Sequence, residues 1–201
     1  MKILIAGCAR SGTTLTLRMM NSFADCFVIP REVGTWRLFW DAYRARNIVI
    51  KRKKTFHKSL PRLSNSVSLI YCIRHPFDVL TSSHPETIHL RRFHVTTQRW
   101  LDEYDALCRL RTRQPWRNIF FVRYEKLVHE PDVVQEEIAE ALSLRPLRRF
   151  SADPATEIFV TSVEKWKRDP ELLNDLRAIR IAMGAPLATF SSEFGYALPE
   201  T

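Results

Sequence analysis

The chain has 201 residues, of which 45% are hydrophobic and 26% charged, as is usual for a globular domain with a sizeable core. Its net charge of +9 favours an anionic ligand, partner or surface. No apolar run approaches the roughly 20 residues of a membrane span. Ile3–Ala6 is too short for the core of a signal peptide. We therefore expect one cytoplasmic domain over residues 1–201.

Short apolar strands alternate with helical patterns along the chain. This alternation predicts an α/β fold of the P-loop type, with a mostly parallel β-sheet flanked by helices on both faces. The predicted strands are Ile3–Ala6, Phe27–Ile29, Asn47–Lys51, Val67–Ile73, Ile119–Val122 and, in the tail, Ile158–Val160. The predicted helices are 15–20, 36–46, one that begins at Pro76, 93–110 and 131–142.

The segment Gly7–Thr14 is typical of a phosphate-binding loop between a strand and a helix. Unpaired backbone N–H groups in the first turn of a helix attract anions, and glycines let the loop curl around them. Nucleoside triphosphatases carry Lys and then Ser or Thr after the second glycine of this loop. Here Thr13 follows Gly12, and the nearest cation is Arg10. We expect a loop that holds a phosphate but lacks the lysine for a β/γ-phosphate pair.

A second anion site is indicated after the strand Val67–Ile73. Arg74 emerges at the carboxyl end of this strand, where open α/β sheets bind their ligands. Ser82 lies eight residues on, and we place it in the following helix, about two turns further. A guanidinium and a hydroxyl can converge on one phosphate. A surface arginine and a helix-capping serine would give the same pattern.

Three segments together resemble the sulfotransferase family that uses 3′-phosphoadenosine 5′-phosphosulfate (PAPS). They are Arg-Ser-Gly-Thr-Thr at 10–14, Ile-Arg-His-Pro-Phe-Asp-Val at 73–79 with Ser82 after it, and Val-Arg-Tyr-Glu-Lys-Leu-Val at 122–128 with Pro131. The resemblance covers about 2–30, 67–84 and 119–144, and is closest to the carbohydrate, tyrosyl-protein and bacterial branches. It implies PAPS as donor, 3′-phosphoadenosine 5′-phosphate (PAP) as product, and no metal.

The resemblance also implies roles for the matched residues. Arg74 and Ser82 would bind the 3′-phosphate, and Lys165 or Lys167 would add charge there. The 5′-phosphate and the sulfonate end would be held by the loop residues Arg10, Ser11, Gly12, Thr13 and Thr14.

Two catalytic groups are expected, a base for the acceptor and a cation for the departing bisphosphate. Glu32 is the candidate base, because family members carry a glutamate at this place, and His57 is the alternative. A solvated loop carboxylate is the competing interpretation of Glu32. Lys54 is the candidate cation by its Lys-Thr pair, while Lys51 and Lys53 stay open.

The acceptor is not defined by the sequence: a glycan, a lipid or a small metabolite would each fit. The cationic run from Lys51 to Lys58 would attract an anionic acceptor, and peripheral contact with an anionic membrane is compatible with the charge. An aromatic pattern at Trp36, Phe39, Trp40 and Tyr43 predicts core packing or an acceptor-lining wall. The four cysteines and His84, His89 and His94 show no metal-ligand spacing.

Two other functions remain open. A P-loop nucleotide kinase would need a lysine at position 13 and an acidic magnesium ligand at a strand end, and the sequence has neither. A non-catalytic protein that binds anions or nucleic acid would explain the charge but not the two matched phosphate sites. We therefore expect no nucleic-acid partner.

Overall fold

The computed structural model describes residues 1–35, 37, 46–85, 87–153, 158 and 160–198. Within them, five strands form one sheet in the order β2-β3-β1-β4-β5, and every neighbouring pair is parallel. The strands are β1 (Lys2–Gly7), β2 (Cys26–Glu32), β3 (Asn47–Lys51), β4 (Val67–Ile73) and β5 (Ile119–Arg123). The helices are α1 (Thr13–Met19), α2 (Pro76–Leu80), α3 (Thr97–Arg113), α4 (Tyr124–His129), α5 (Pro131–Leu142), α6 (Lys165–Arg168) and α7 (Leu173–Phe194).

Both faces of the sheet are covered, as the sequence predicted. Successive side chains of a strand point to opposite faces of the sheet. In β1 the side chains on both faces are buried. Leu4 belongs to the core shared with α3 and α7, which contribute Leu107 and Phe190. Ile3 and Ile5 belong to the core on the other face, shared with α1 and α5. The predicted α/β class with a parallel sheet is confirmed.

Most predicted elements are present, and some of their ends differ. The strands Asn47–Lys51 and Val67–Ile73 and the helix 131–142 have the predicted bounds, and α2 begins at Pro76. The long helix begins at Thr97 and not at 93, because Thr96 caps it: its Oγ1 accepts a 3.1 Å hydrogen bond from the Arg99 N–H. The helices α4, α6 and α7 were not predicted individually.

The prediction that Ser82 lies within a helix is wrong. α2 ends at Leu80, and Thr81 has non-helical dihedral angles (φ −99°, ψ 5°). The hydroxyl groups of Thr81 and Ser82 donate to the carbonyl oxygens of Phe77 and Asp78. Such side-chain bonds to the backbone compete with helix continuation, so the helix ends before it reaches Ser82.

Two further predictions concern the remaining segments. A strand over Ile158–Val160 is wrong, because Val160 begins a 3-10 turn that ends at Ser162 and Ile158 is not in a strand. The helix predicted over 36–46 lies almost entirely outside the described residues, as do its aromatic members Trp36, Phe39, Trp40 and Tyr43. Within the described ranges, none of the helices is both long and apolar enough to cross a bilayer.

Candidate functional site

The carboxyl ends of the parallel strands meet at one edge of the sheet. β1 leads into the loop 7–14, and β3 ends at Lys51. β4 ends just before Arg74, and β5 ends just before Tyr124. This is the edge at which open parallel sheets bind ligands. The two anion sites predicted from separate parts of the sequence therefore lie at the same edge.

The loop between β1 and α1 requires its two glycines. Gly7 has a φ of +138°, and a Cβ atom there would lie 2.4 Å from the carbonyl oxygen of Cys72. Gly12 has a φ of +89°, and its Cβ would lie 2.5 Å from Cδ2 of Tyr124. Arg10, between them, also has a positive φ of 69°. The loop is thus curled back on itself and packed tightly against β4 and Tyr124.

Lys51 joins this loop to the end of β2. Its Nζ donates a 3.0 Å hydrogen bond to Oγ1 of Thr14 and lies 3.4 Å from Oε1 of Glu32. The Lys51 side chain is 13% exposed and that of Glu32 is 49% exposed. The ammonium group is therefore held at the loop, whereas the carboxylate stays open to solvent. The structure brings Thr14, Lys51 and Glu32 together.

Lys54 lies beyond the end of β3, and its side chain is exposed. Its carbonyl oxygen accepts a 3.2 Å hydrogen bond from Nη1 of Arg52 and another from the guanidinium of Arg99. Burial lowers the pKa of His94, and the positive charge of Lys54 is among the smaller contributions in the same direction. The catalytic role of Lys54 stays a prediction, while Lys51 contacts the loop directly.

His57, the alternative base, belongs to a buried ion cluster around Glu103. This carboxylate, on α3, is 2% exposed, and its Oε1 lies 2.8 Å from Nη1 of Arg52. The same oxygen lies 2.9 Å from Nη2 of Arg99 and 3.6 Å from Nδ1 of His57. Burial lowers the pKa of His57 against the opposing effect of Glu103. The cluster fixes the segment that follows β3, and His57 faces it.

The guanidinium of Arg74 is enclosed at the end of β4, where the residue is 5% exposed. Nη1 donates a 3.0 Å hydrogen bond to the carbonyl oxygen of Arg10, and Nη2 donates to that of Ser162. The guanidinium carbon lies 4.3 Å from the ring centroid of Tyr124, and Nη2 lies 3.9 Å from Oδ2 of Asp78. Nε is buried and has no hydrogen-bond partner among the described residues. These contacts hold Arg74 in place and leave its Nε as a donor without a partner among the described residues.

A cavity of about 630 Å³ opens beside Arg74 at this edge. Its volume lies within the range of small-molecule sites. Burial, together with the positive charge of Arg74, lowers the pKa of Arg10, as expected where two cations lie close together. The lining includes four basic side chains, one carboxylate and three serines: Arg10, Arg74, Lys165, Arg168, Asp169, Ser82, Ser83 and Ser162. The cavity therefore favours an anionic ligand.

The chain that follows Ser82 comes back to this cavity-lining residue at His94. The N–H of His94 donates a 2.7 Å hydrogen bond to the carbonyl oxygen of Ser82. The rings of His84 and His94 have centroids 4.8 Å apart, and Nδ1 of His94 lies 2.9 Å from Oγ1 of Thr87. His89 lies in the same segment. In the part of the chain that the structure describes, no three side chains are grouped as metal ligands.

Lys167 and the four cysteines take no part in the cavity lining. Lys167 is paired with Glu164 outside the cavity wall. The four cysteines are free, and burial raises the pKa of Cys8 and of Cys72 to about 12. These two thiols stay protonated at neutral pH and pack as small apolar side chains.

The architecture has solved counterparts. The chain is similar to the sulfotransferase domain from the curacin biosynthetic pathway, with a TM-score of 0.64 at 15% identity over 98% of both chains. It has the sulfotransferase fold.

Two further structures with this fold are similar to the chain. Mouse sulfotransferase SULT7A1 in complex with PAP matches with a TM-score of 0.57 at 14% identity, over 96% of this chain and 88% of that one. Retinol dehydratase in complex with androsterone and inactive cofactor PAP matches with a TM-score of 0.50 at 12% identity, over 92% and 81% of the two chains. No family model and no curated protein sequence matches the chain. The fold implied by the sequence resemblance is confirmed.

In this sulfotransferase fold, the sequence analysis assigned no role to three residues of the site. Tyr124 stacks on Arg74 and limits the space at Gly12. Asp78 faces Arg74. The carbonyl oxygen of Ser162 accepts a hydrogen bond from Arg74. Tyr124 and Asp78 lie within the matched motifs, so the sequence could have indicated that they belong to the site. Ser162 lies 88 residues from Arg74 in a segment without a motif, and no sequence pattern pointed to it.

Proposed function

We propose that the protein is a sulfotransferase that moves the sulfuryl group of PAPS to a hydroxyl or amine of an acceptor by in-line displacement. The observation that carries this proposal is the convergence of Arg10, from the loop 10–14, and Arg74 on one cationic cavity. PAPS carries its negative charges at two ends, a 5′-phosphosulfate and a 3′-phosphate. Two anion-binding groups at one edge suit such a donor better than a nucleotide with a single phosphate group.

The residues present fit this donor. Arg10 and Arg74 supply closely spaced positive charge, and Lys165 and Arg168, which line the same cavity, add to it. The buried Nε of Arg74 is a donor without a partner among the described residues. A buried polar group of this kind is costly unless a ligand or water binds it. The 3′-phosphate is the group we assign to Arg74 and Ser82.

The loop side of the site would carry the chemistry. The donor supplies an activated sulfuryl group, so the protein mainly positions the reactants and stabilises charge. The Lys51 ammonium, fixed on Thr14, is placed to stabilise negative charge that develops beside the loop. We therefore assign the role of the assisting cation to Lys51 in preference to Lys54.

Glu32 is the base that this geometry supports. Its carboxylate lies beside the Lys51 ammonium, at the loop, and is half exposed. A half-exposed carboxylate can reach the proton of an acceptor hydroxyl that enters from solvent. His57, in contrast, faces the buried Glu103 carboxylate.

The acceptor is proposed only as a class. Lys53 and Lys54 are exposed next to this edge and add positive charge, which favours an anionic glycan, lipid or metabolite. The same charge supports peripheral contact with an anionic membrane. Free cysteines fit a reducing, cytoplasmic compartment.

Thermal unfolding with four ligand conditions tests the proposal: PAP, adenosine 5′-monophosphate (AMP), ATP with Mg²⁺, and none. A ligand that binds the folded state alone raises the melting temperature. We expect PAP to raise it most, and the Arg74→Ala variant to lose the difference between PAP and AMP. A rise with ATP and Mg²⁺ alone would instead identify a nucleotide kinase. No rise with any nucleotide would leave a non-catalytic anion-binding role.

A further inference from the structure

The segment Val160–Arg168, which we call the strap, lies across Arg74 and forms part of the cavity wall. Its Ser162 carbonyl oxygen accepts a hydrogen bond from Nη2 of Arg74. Its Ser162 Oγ lies 2.6 Å from the hydroxyl of Tyr124, whose ring stacks on the same guanidinium. The strap therefore contacts Arg74 directly and also through Tyr124.

One buried carboxylate holds the middle of the strap. Asp78 is 1% exposed. Its Oδ2 accepts a 2.8 Å hydrogen bond from the N–H of Glu164, and its Oδ1 accepts a 3.5 Å one from the N–H of Trp166. Glu164 has a left-handed backbone, with φ at 53°, which is strained for a residue with a side chain. The carboxylate thus stabilises an unfavourable strap conformation.

The same carboxylate faces Arg74. Oδ2 of Asp78 lies 3.9 Å from Nη2 of Arg74, which stands four residues earlier in the chain. Nη2 is also the atom that binds Ser162. One guanidinium nitrogen, Nη2 of Arg74, therefore contacts both the Asp78 carboxylate and the strap backbone at Ser162. Burial raises the pKa of Asp78, and Arg74 opposes that rise.

We propose that Asp78 is a positioning residue that couples the strap to Arg74, so that recognition of a 3′-phosphate depends on where the strap lies. This inference rests on the proposed function, because it concerns the site that we assign to the 3′-phosphate. It adds a residue that touches no part of that phosphate and acts through Arg74 and the strap.

The coupling follows from how Arg74 is held. Its Nη2 is bonded to the Ser162 carbonyl oxygen, so the position of the strap sets the orientation in which Nε, which has no partner among the described residues, meets a phosphate. Asp78 fixes that position through its bonds to Glu164 and Trp166. Lys165 and Arg168 belong to the strap and line the cavity. By fixing the strap, Asp78 also fixes these two cations around the ligand.

The test uses Asp78→Asn in the full chain, with Asp132→Asn as the matched control. Asp132 also holds a short turn by its carboxylate: it accepts a 2.9 Å bond from the Ser151 N–H and a 2.7 Å bond from the Ser151 hydroxyl. It does not line the cavity. Calorimetric titration gives the dissociation constants for PAP and AMP, which differ by the 3′-phosphate. Limited trypsin digestion with mass spectrometry follows cleavage after Lys165, Lys167 and Arg168.

In wild type, we expect PAP to change the rate of cleavage in the strap and AMP to have little effect. In Asp78→Asn, strap cleavage without ligand becomes faster. PAP binds about tenfold more weakly in this variant, the scale of one lost hydrogen bond to a charged group, while AMP affinity changes less than about threefold. Asp132→Asn leaves these affinities and the strap cleavage unchanged. A loss specific to PAP is not expected from general destabilisation.

Other outcomes separate this inference from the proposed function. Faster strap cleavage with unchanged PAP affinity would overturn the coupling and leave the donor site standing. Equal losses for PAP and AMP would also overturn it. If wild type binds no PAP, the proposed function fails, and the coupling fails with it, even if strap cleavage still depends on Asp78. If Asp78→Asn does not fold, Tyr124→Phe removes the bond to Ser162 and keeps the ring. This variant should show the same PAP-specific loss, and an unchanged PAP/AMP ratio would contradict the coupling.

Discussion

The Nζ of Lys51 donates a hydrogen bond to Oγ1 of Thr14 across the gap between the ends of β3 and β1. The two residues are 37 positions apart in the chain. Because β1 and β3 are parallel neighbours, Lys51, in register with Ile5, ends β3 at the edge where β1 leads into the loop. The contact ties a cation to the loop that we assign to the 5′-phosphosulfate.

Replacement of Lys51 by Met is the first prediction. The variant should lower turnover of PAPS by about 100-fold, the loss typical of one group that stabilises transition-state charge. Its PAP affinity should change little, because Arg74 and the loop backbone remain. Turnover is measured as PAP release with an acceptor identified by screening. Lys54→Met is the matched control, and we expect less than about threefold loss because its side chain is exposed beyond the strand. A larger loss in Lys54→Met than in Lys51→Met would return the role to Lys54.

Glu32→Gln tests the assigned base. The amide keeps the size of the side chain but cannot accept the acceptor proton, so turnover should fall about 100-fold. PAP affinity should remain within about threefold of wild type, because Glu32 lies beside Lys51 and not in the donor cavity. Thermal unfolding with PAP checks that the donor site is intact. Full turnover in this variant would remove Glu32 from the mechanism and leave His57 as the candidate.

Gly7→Ala tests the packing of the loop. The new Cβ would meet the Cys72 carbonyl oxygen at 2.4 Å, and backbone in a sheet cannot move away easily. We expect the free energy of unfolding to fall by about 3 kcal/mol or more, from strain and overpacking together. Gly195→Ala is the control: its φ is also positive, at 66°, but the nearest atom lies at 3.8 Å. This control should lose about 1 kcal/mol in urea titration. Equal losses of unfolding free energy in the two variants would show that the close approach of Gly7 to the Cys72 carbonyl oxygen does not add to the destabilisation.

Sequence reasoning reached much of the fold because the strands are buried on both faces. Runs such as Ile48–Ile50 and Leu69–Ile73 are buried along their whole length, which is typical of a central parallel strand. The end of α2 was missed because Ser82 and Thr81 bond to the helix backbone, and local hydrophobicity does not report such bonds.

The site was accessible to sequence reasoning only in part. Motif spacing indicated the loop and Arg74, since each follows directly on a strand. The choice between Lys51 and Lys54 depends on which residue ends β3 against the loop, and neighbouring lysines look alike in sequence. The contact between Asp78 and Glu164 joins residues 86 positions apart, so tertiary packing alone creates it.

The buried His75 predicts a dependence of stability on pH. Its Nδ1 accepts the Phe77 N–H and its Nε2 donates to the Ala197 carbonyl oxygen, so the neutral ring suits this site. Burial lowers the pKa of His75 from the usual 6.5. As the pH falls below about 6.5, His75 therefore takes up a proton in the unfolded chain before it does so in the folded chain. The stabilisation that is present above this pH is lost as the pH falls towards the lowered pKa.

His75→Asn isolates this contribution. Asparagine keeps an acceptor for the Phe77 N–H at the start of α2 but does not titrate. Urea unfolding between pH 7.5 and 5 should show a smaller decline in the variant than in wild type, although its stability at pH 7.5 is lower because the stacking on Trp166 is lost. The pKa values of His57 and His94 are lowered too, so some decline remains. An identical decline in both proteins would contradict the assignment.

The most direct test of the donor site is calorimetric titration of wild type and Arg74→Ala with PAP and with AMP, at fixed salt. The two ligands differ by the 3′-phosphate that we assign to Arg74. We predict that wild type binds PAP at least about tenfold more tightly than AMP, as a charge-assisted hydrogen bond to a phosphate would give, and that Arg74→Ala loses this preference. Equal affinities for PAP and AMP in wild type would contradict the account.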